Sequence, residues 1–384
     1  MLNFLQLVIN IIINIYMKLL ILFLIISFLF ITVSSSFSQT AEEYYVLGKK
    51  ESSLKNYNNA VDYFTKSIEL NPDYTDAYYE LAYNYYLLKE NEKAISQYTK
   101  VIEMNPDKAE VYAERGYFYL IDIHDCDNAL LDFTKAIEIK PDFYDAYYQR
   151  GYIYLYFKND FDKGLDDFKK TIELRPDDPY GYRELAAVYD KLQDYRKAID
   201  CYTKYIELES EDEDAYILRG NIYAELKDYD KALIDYTKAI EMDPINEDIY
   251  FNRANLYRLN LKNFDKAIID YKKIIEINPD NRDAYNALGW CYIHIKNYDK
   301  AIYNFNLSLN IEKDANAMLG LAVIYYKKGD NKLSKNYLNQ AISIAPVISE
   351  GIFGIENAEK ETDEKLFSSD DKADLKELFK LIGK

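Results

Sequence analysis

A short phrase, with a glutamate three residues before a proline, recurs along the chain at near-constant spacing and limits the fold more than any other feature. The first copy is ELNPD at residues 69–73, and successive prolines follow at steps of 34 or 35 residues, or about twice that where one is missing. The prolines of the series are Pro72, Pro106, Pro141, Pro176, Pro244, Pro279 and Pro346. A period of this length is typical of arrays whose units bury their apolar faces only by stacking on one another.

A second pattern inside each unit indicates what the units are made of. Tyrosine is followed three residues later by leucine or arginine, then by glycine or alanine, and after three more residues by tyrosine. Examples are Tyr147–Arg150–Gly151–Tyr154, Tyr216–Arg219–Gly220–Tyr223 and Tyr285–Leu288–Gly289–Tyr292. The alternation YIYLY at 152–156 favours a β-strand by propensity alone, but spacings of three and four residues are helical. The pattern therefore predicts that 152–156 lies in the middle of a helix.

These residues together resemble the tetratricopeptide repeat family, whose units are paired antiparallel helices with small residues where the helices cross. The resemblance covers residues 41 to about 348 and divides them into nine repeats. They are 41–74, 75–108, 109–143, 144–178, 179–212, 213–246, 247–281, 282–314 and 315–348. The resemblance implies an all-α fold, an α-solenoid of helix-turn-helix units that forms a right-handed superhelix with first helices lining a concave groove. Small residues such as Gly116, Gly220 and Gly289 are expected at the helix crossings.

The fifth repeat departs from this pattern in two places. Ser210 stands where a proline is expected, and Tyr205 stands where other repeats have a small residue. A bulky ring at that position predicts a local irregularity over Tyr205–Asp214, as in a hinge between two sub-arrays. Ordinary packing of a tolerated variant is the alternative interpretation.

The residues after the last repeat, 349–384, are expected to form an irregular connection and a capping helix. Leu375, Leu378, Phe379 and Ile382 are spaced as one apolar stripe of a helix. Ser368 or Ser369 can cap its start, with acidic residues in the first turn. An apolar stripe opposite a charged face is typical of a helix lying on the last repeat.

Residues 1–38 have the composition of a signal peptide or a membrane anchor. Lys18 supplies the positive start, residues 19–33 the apolar region, and residues 34–38 the small polar region with cleavage after Ser38. We expect translation to begin at Met17. The alternative is an uncleaved anchor formed by residues 19–33. We expect export to the periplasm, the cell envelope or the medium, with a membrane-tethered array facing the cytoplasm as a third interpretation.

Composition excludes several classes of function. A formal net charge of −18 repels phosphate groups, so nucleic-acid binding is not expected, and membrane contact is expected only through the N-terminal segment. Two histidines and three cysteines, spread over separate repeats, are too few and too distant for a metal site or a disulfide. The chain has no recognisable catalytic or phosphate-binding motif. We therefore expect a protein without enzymatic activity, cofactor or metal.

The first helices carry the candidate binding residues, because the family binds ligands along its concave face. These concave positions are Tyr79, Tyr83, Tyr86, Tyr117, Tyr148, Tyr152, Tyr156, Arg183, Asn221, Phe251, Asn255, Arg258 and Trp290. Tyrosine offers wide amphipathic contact area, and asparagine or arginine can pair with peptide backbone or carboxylate. We expect a protein or peptide partner, with apolar anchors and with basic residues that suit the recurring acids. Glycan stacking on the rings, or mutual packing of the tyrosines, are the alternatives, and the sequence does not indicate the oligomeric state.

Overall fold

The structure, a computed structural model, describes residues 16–23, 39–345 and 369–381. Over these residues the protein is all-α, made of helices and turns without a β-strand. The chain forms two compact units, unit 1 (Met1–Phe157) and unit 2 (Lys158–Lys384). Their boundary falls in the fourth repeat, between its two helices.

Unit 1 is built from helices in which each first helix packs on the second helix of its own repeat and on the second helix of the preceding one. Thr40 caps the first of them with a capping box, in which its hydroxyl accepts from Glu43 N and the Glu43 carboxylate accepts from Thr40 N. The helices are α1 (Ala41–Ser53), α2 (Tyr57–Leu70), α3 (Thr75–Leu87), α4 (Asn91–Met104), α5 (Ala109–Phe118), α6 (Cys126–Ile139) and α7 (Tyr144–Ile153).

Unit 2 continues in the same manner and ends with a helix that follows the last repeat. Its helices are α8 (Phe161–Leu174), α9 (Pro179–Lys191), α10 (Tyr195–Leu208), α11 (Glu213–Glu225), α12 (Tyr229–Met242), α13 (Glu247–Asn255), α14 (Phe264–Ile277), α15 (Arg282–His294), α16 (Tyr298–Ile311), α17 (Ala315–Lys327), α18 (Asn331–Ile344) and α19 (Ser369–Leu381). The last helix, α19, packs on α17 of the ninth repeat.

Glycines allow the close helix contacts that the repeat pattern predicts. A β-carbon added at Gly289 would lie 2.7 Å from the Phe305 ring, and one added at Gly320 would lie 2.2 Å from the same ring. One fully buried phenylalanine of α16 thus lies between the first helices of two successive repeats. Gly116 and Gly220 are also close to their own second helices, since an added β-carbon would lie 3.1 Å from Asp132 Cβ at Gly116 and 2.9 Å from the Tyr236 ring at Gly220.

Arg115, which directly precedes the crossing glycine Gly116, joins three helices. In unit 1 its guanidinium bonds both carboxylate oxygens of Asp132 on α6, each at 2.8 Å, and Thr99 Oγ1 on α4 at 2.8 Å. Two arginines of unit 2 repeat this arrangement with an aspartate of their own repeat and a threonine of the preceding repeat. They are Arg219, with Asp235 and Thr203, and Arg253, with Asp270 and Thr237.

Three first helices end in a π-helical turn, which accounts for the repeats that are one residue longer. The turns are Tyr119–Ile123 after α5, Tyr154–Lys158 after α7 and Leu256–Asn260 after α13. In these repeats the second helix begins 17 residues after the first begins, as from Ala109 to Cys126, against 16 elsewhere. A π turn admits one extra residue without breaking the helix. The stretch 152–156 is therefore helical, as predicted, but it passes from α to π geometry at Tyr154.

The irregularity expected at Tyr205–Asp214 is not found, because the Tyr205 ring is accommodated within the packed helices. Tyr205 is fully buried, and its hydroxyl donates to Asp212, whose other carboxylate oxygen accepts from Asp214 N at 3.0 Å. The connection between α10 and α11 is as short as those of the neighbouring repeats. Ordinary packing, the alternative that the sequence left open, describes this segment.

The N-terminal region lies largely outside the described residues. Residues 16–23 form a helix with exposed side chains, while the rest of the predicted signal peptide or anchor, residues 1–15 and 24–38, lies outside the described residues. Within the described ranges, every helix is too short or too polar to span a lipid bilayer.

Candidate functional site

Tyrosines occupy one face of the first helices of unit 1. Tyr83, Tyr117 and Tyr152 stand at the same place in α3, α5 and α7, eight residues after each helix begins. Tyr83 is 43% exposed, Tyr117 is 45% exposed and Tyr156 is 48% exposed. Tyr83 and Tyr117 are thus exposed at equivalent positions, whereas Tyr152 is half-buried and the exposed ring of its repeat is Tyr156. Large rings that remain exposed on successive first helices form a candidate contact surface, since partners bind where such patches occur. We call the set of Tyr79, Tyr83, Tyr86, Tyr117, Tyr148, Tyr152 and Tyr156 the tyrosine face.

Neighbouring rings hold the tyrosine face in place. The ring centroids of Tyr83 and Tyr86 are 6.1 Å apart, and the Tyr86 ring meets Phe118 edge-on at 5.2 Å. The Tyr152 and Tyr156 centroids are 4.6 Å apart. These separations are those of favourable aromatic pairs. The exposed rings of Tyr83 and Tyr156 therefore lose little further freedom when a partner binds.

Two members of the tyrosine face, Tyr79 and Tyr148, are half-buried and pack against neighbouring side chains. The Tyr79 hydroxyl donates to Glu114, and its ring lies at 6.0 Å from that of Tyr98 in an edge-on arrangement. Burial raises the pKa of the Glu114 carboxyl, and this effect is larger than the opposite effect of the hydrogen bonds from the Tyr79 and Tyr98 hydroxyls. Tyr148 is half-buried and stacks on Tyr144 at 6.2 Å.

Charges of both signs border the tyrosine face. Lys89 Nζ lies 5.1 Å from the centre of the Tyr86 ring and 3.3 Å from Asp122. Glu110, at the start of α5, is exposed and pairs with Lys140 at 3.0 Å. The Glu110–Lys140 pair is exposed and contributes little to stability, so the Glu110 carboxylate remains available to basic groups of a partner. Asp122 is mostly buried, with 12% of its side chain exposed.

In unit 2 the candidate residues form hydrogen bonds within the repeats. Asn221 Oδ1 accepts from the Tyr236 hydroxyl, and Asn255 Oδ1 accepts from the Tyr271 hydroxyl, both at 2.7 Å. Phe251 packs edge-on against Tyr271 at 5.8 Å. Arg183 binds Glu184 at 2.8 Å and lies over the Tyr180 ring. These four residues remain partly exposed, so partner contact at them stays a prediction.

Arg258 and Trp290 are not open to a partner, which corrects the prediction for both. Arg258 is 3% exposed and bonds the Tyr271 hydroxyl and the Asp371 carboxylate. Trp290 is 1% exposed, and its Nε1 donates to Asn316 Oδ1 at 2.7 Å. The physical reason is that α19 lies against these first helices, since Asp371 belongs to α19 and its leucines share a core with Trp290. A sequence period cannot predict where a helix outside the period docks.

Family models for the tetratricopeptide repeat match most of the array. The matched stretches are 53–114, 144–178, 182–212, 213–246, 247–281, 270–303 and 315–347. The chain belongs to the tetratricopeptide repeat family. Its repeats support a role as a protein-interaction scaffold, and the tetratricopeptide-repeat fold is typically non-enzymatic.

Solved structures similar to this tetratricopeptide repeat protein are themselves repeat proteins. The C-terminal part of a TPR repeat-containing protein from Cytophaga hutchinsonii is 23% identical, with a TM-score of 0.56, over 64% of this chain and 99% of that one. A tetratricopeptide repeat protein from Parabacteroides merdae is 17% identical, with a TM-score of 0.48, over 72% and 99%. YrrB, titled a TPR protein with an unusual peptide-binding site, is 26% identical, with a TM-score of 0.44, over 52% and 97%. No curated protein matches the sequence.

The cysteines of this tetratricopeptide repeat protein are free thiols. Cys126 and Cys201 are partly buried and Cys291 is fully buried. Burial raises the pKa of Cys201 to about 11 and that of Cys291 to about 12, so both thiols stay protonated at neutral pH. Among the described residues, histidines, cysteines and carboxylates form no group that could hold a metal ion.

Proposed function

We propose that this protein is an exported scaffold of the cell envelope that binds a segment of a partner protein on the tyrosine face of unit 1. The observation that carries the proposal is the exposure of Tyr83, Tyr117 and Tyr156 on successive first helices, at 43%, 45% and 48%. Tyrosine is enriched among binding hot spots, and the Tyr83 and Tyr156 rings are in addition held by neighbouring rings. Apolar side chains of the partner would lie between these rings.

The charge of the protein favours a partner segment with basic residues. The chain carries a formal net charge of −18, and the exposed carboxylates of Asp76, Glu110 and Asp145 recur at the starts of α3, α5 and α7. Opposite charge steers a partner to such a surface and raises its rate of association. An extended or disordered segment that orders on binding suits an open face of this kind.

Removal of three exposed rings is expected to abolish partner binding without unfolding the protein. The variant is Tyr83→Ser, Tyr117→Ser and Tyr156→Ser, and the probe is a panel of basic peptides selected by display on the wild-type protein. Each hot-spot ring contributes on the order of 1–2 kcal/mol, so affinity should fall about 100-fold or more. Isothermal calorimetry measures the affinity, and circular dichroism checks that the helix content is unchanged.

The matched control is Leu131→Ser, since Leu131 is 68% exposed on the second helix α6 of the same unit. The control should bind as tightly as the wild type. Equal loss of binding in both variants, or none in the triple variant, contradicts a role of the tyrosine face. Added salt should weaken a basic peptide because the attraction is screened, whereas binding that salt leaves unchanged would favour the glycan alternative.

Export is proposed from the order of Lys18, the apolar residues 19–33 and the small polar residues 34–38. Expression of the full chain in a bacterial host should yield an envelope or secreted protein whose first residue is Gln39. N-terminal sequencing of the fractionated protein measures this. A Met17→Leu variant should stop production if translation begins there. A protein retaining residues 19–33 in the membrane fraction would support the anchored alternative instead.

A further inference from the structure

The helix α19 lies across the first helices of the last three repeats. Asp371 contacts Arg258 in the π turn of the seventh repeat and His294 at the end of α15 in the eighth. Asp374 pairs with Lys327 at the end of α17 in the ninth, at 2.7 Å. A helix that only capped the array would cover the ninth repeat, so contact with the seventh shows that α19 lies along the first helices.

The carboxylate of Asp371 is bound in a pocket that the repeats build. Asp371 is fully buried, with Oδ1 at 2.6 Å from His294 Nε2 and Oδ2 at 3.4 Å from Arg258 Nη1. Arg258 is itself held by the Tyr271 hydroxyl at 3.2 Å, and Tyr271 in turn donates to Asn255. The His294 ring stacks on Phe264 at 4.5 Å and 9°. A buried arginine and an oriented imidazole are suited to a carboxylate and costly to leave unpaired.

Two leucines complete the contact. Leu375 and Leu378 are 2% and 0% exposed and share one hydrophobic core with Trp290 and Val323 of the first helices. They stand four and seven residues after Asp371, on the same face of α19. The first helices thus contact one carboxylate and two leucines that lie on a single face of α19.

The helix α19 is separated from α18 in the sequence by residues 346–368, which lie outside the described residues. Between Phe161 and Ile344 of unit 2, successive helices are separated by only a few residues. Covalent attachment gives α19 a high effective concentration at the site without making it part of the stack. Helix-in-groove binding by an amphipathic helix is a common mode of partner recognition.

We propose that the first helices of the last three repeats form a binding site for an acidic amphipathic helix of a partner protein, and that α19 occupies this site as an internal competitor. The partner helix carries an aspartate or glutamate, with leucines four and seven residues later. Arg258 and His294 bind its carboxylate, and the core around Trp290 receives the leucines. This site uses residues other than those of the tyrosine face, and the proposal does not depend on the function proposed for that face.

The test weakens the binding of α19 by substitutions in α19 itself, so that the residues of the site on the first helices are unchanged in this opened chain. The full chain with Asp371→Asn, Leu375→Ser and Leu378→Ser is titrated into a fluorescein-labelled peptide of residues 368–384, and anisotropy reports binding. The opened chain should bind the peptide at least about 100-fold more tightly than the wild type, whose own α19 competes. The same peptide with Asp371→Asn should bind the opened chain on the order of 30-fold more weakly, because a buried charge pair is lost.

Three results would overturn the proposal. They are no binding to an opened chain of unchanged helix content, equal binding of both peptides, and a wild-type dimer in light scattering that Asp371→Asn dissociates, which would make a second copy of the chain the occupant. If the opened chain loses helicity, a wild-type chain with a protease site inserted after residue 357 decides the matter. After cleavage, exchange of the C-terminal fragment for excess labelled peptide supports the proposal, and failure to exchange overturns it.

Discussion

Phe305→Ala is expected to lower the free energy of unfolding of unit 2 by about 3–5 kcal/mol. The ring is fully buried, packs edge-on against Trp290 at 5.9 Å, and lies against the glycines of two successive first helices. Its removal opens a cavity at the junction of the eighth and ninth repeats, and rigid helix backbones can only partly close it. Urea denaturation followed by circular dichroism measures the loss, with hydrogen exchange showing whether α15–α18 open first, as expected when repeats are stabilised by their neighbours.

The matched control for this substitution lies two residues away in the same helix. Tyr303 is 64% exposed on α16, so Tyr303→Ala should change stability by no more than about 0.5 kcal/mol.

The cavity left by Phe305→Ala also predicts that the effect of Gly320→Ala on stability changes sign. Gly320→Ala alone should destabilise by about 1–3 kcal/mol, because its methyl group would meet the Phe305 ring. Beside Phe305→Ala the same substitution should be neutral or stabilising, since alanine favours helix by about 1 kcal/mol. Equal effects in both backgrounds would contradict the packing described for this ring.

The repeat fold could be predicted from the sequence because stacking of equivalent units imposes a period on it. Helical spacing within each unit is confirmed by the helix bounds. Small residues at the crossings are confirmed at Gly220 and Gly289, where an added β-carbon would lie 2.9 Å from the Tyr236 ring and 2.7 Å from the Phe305 ring. The step of 35 residues was visible too, but not its cause. One extra residue can widen a turn, lengthen a connection or enter a helix. The structure places it in a π turn, as at Leu256–Asn260, where Leu261 N donates to the Leu256 carbonyl five residues earlier at 3.1 Å.

The candidate site was predicted less completely, for a physical reason. Tyr83, Tyr117 and Tyr156 are exposed, as expected for rings that contact a partner. Arg258 and Trp290 occupy comparable places on their helices, yet they are buried because α19 lies there. An arginine within the apolar stretch LYRL at 256–259 was a signal that could have indicated a carboxylate from elsewhere in the chain. Nothing in the period of the repeats identified Asp371 as that group.

Arg253→Ala is expected to lower the free energy of unfolding of unit 2 by about 3 kcal/mol, at the lower end of the range for breaking a buried ion pair. Its guanidinium binds both oxygens of Asp270 at 2.8 and 2.9 Å, and Thr237 of the preceding repeat at 3.0 Å. The aspartate side chain is only 4% exposed, so removal of the arginine leaves a buried carboxylate without its cation. Urea denaturation at neutral pH and moderate salt measures the loss.

The charge of Asp270, rather than the lost arginine contacts alone, should account for most of this loss. Asp270→Asn alone should destabilise the protein, because it weakens a bidentate pair. Beside Arg253→Ala it should instead recover stability, because it removes the uncompensated buried charge. Lys273→Ala is the control, since its pair with Glu276 at 3.2 Å is exposed and such pairs contribute about 0.3–0.5 kcal/mol. If Asp270→Asn is equally destabilising in both backgrounds, the arginine acts through packing and its bond to Thr237, and the buried ion pair is not what joins these repeats.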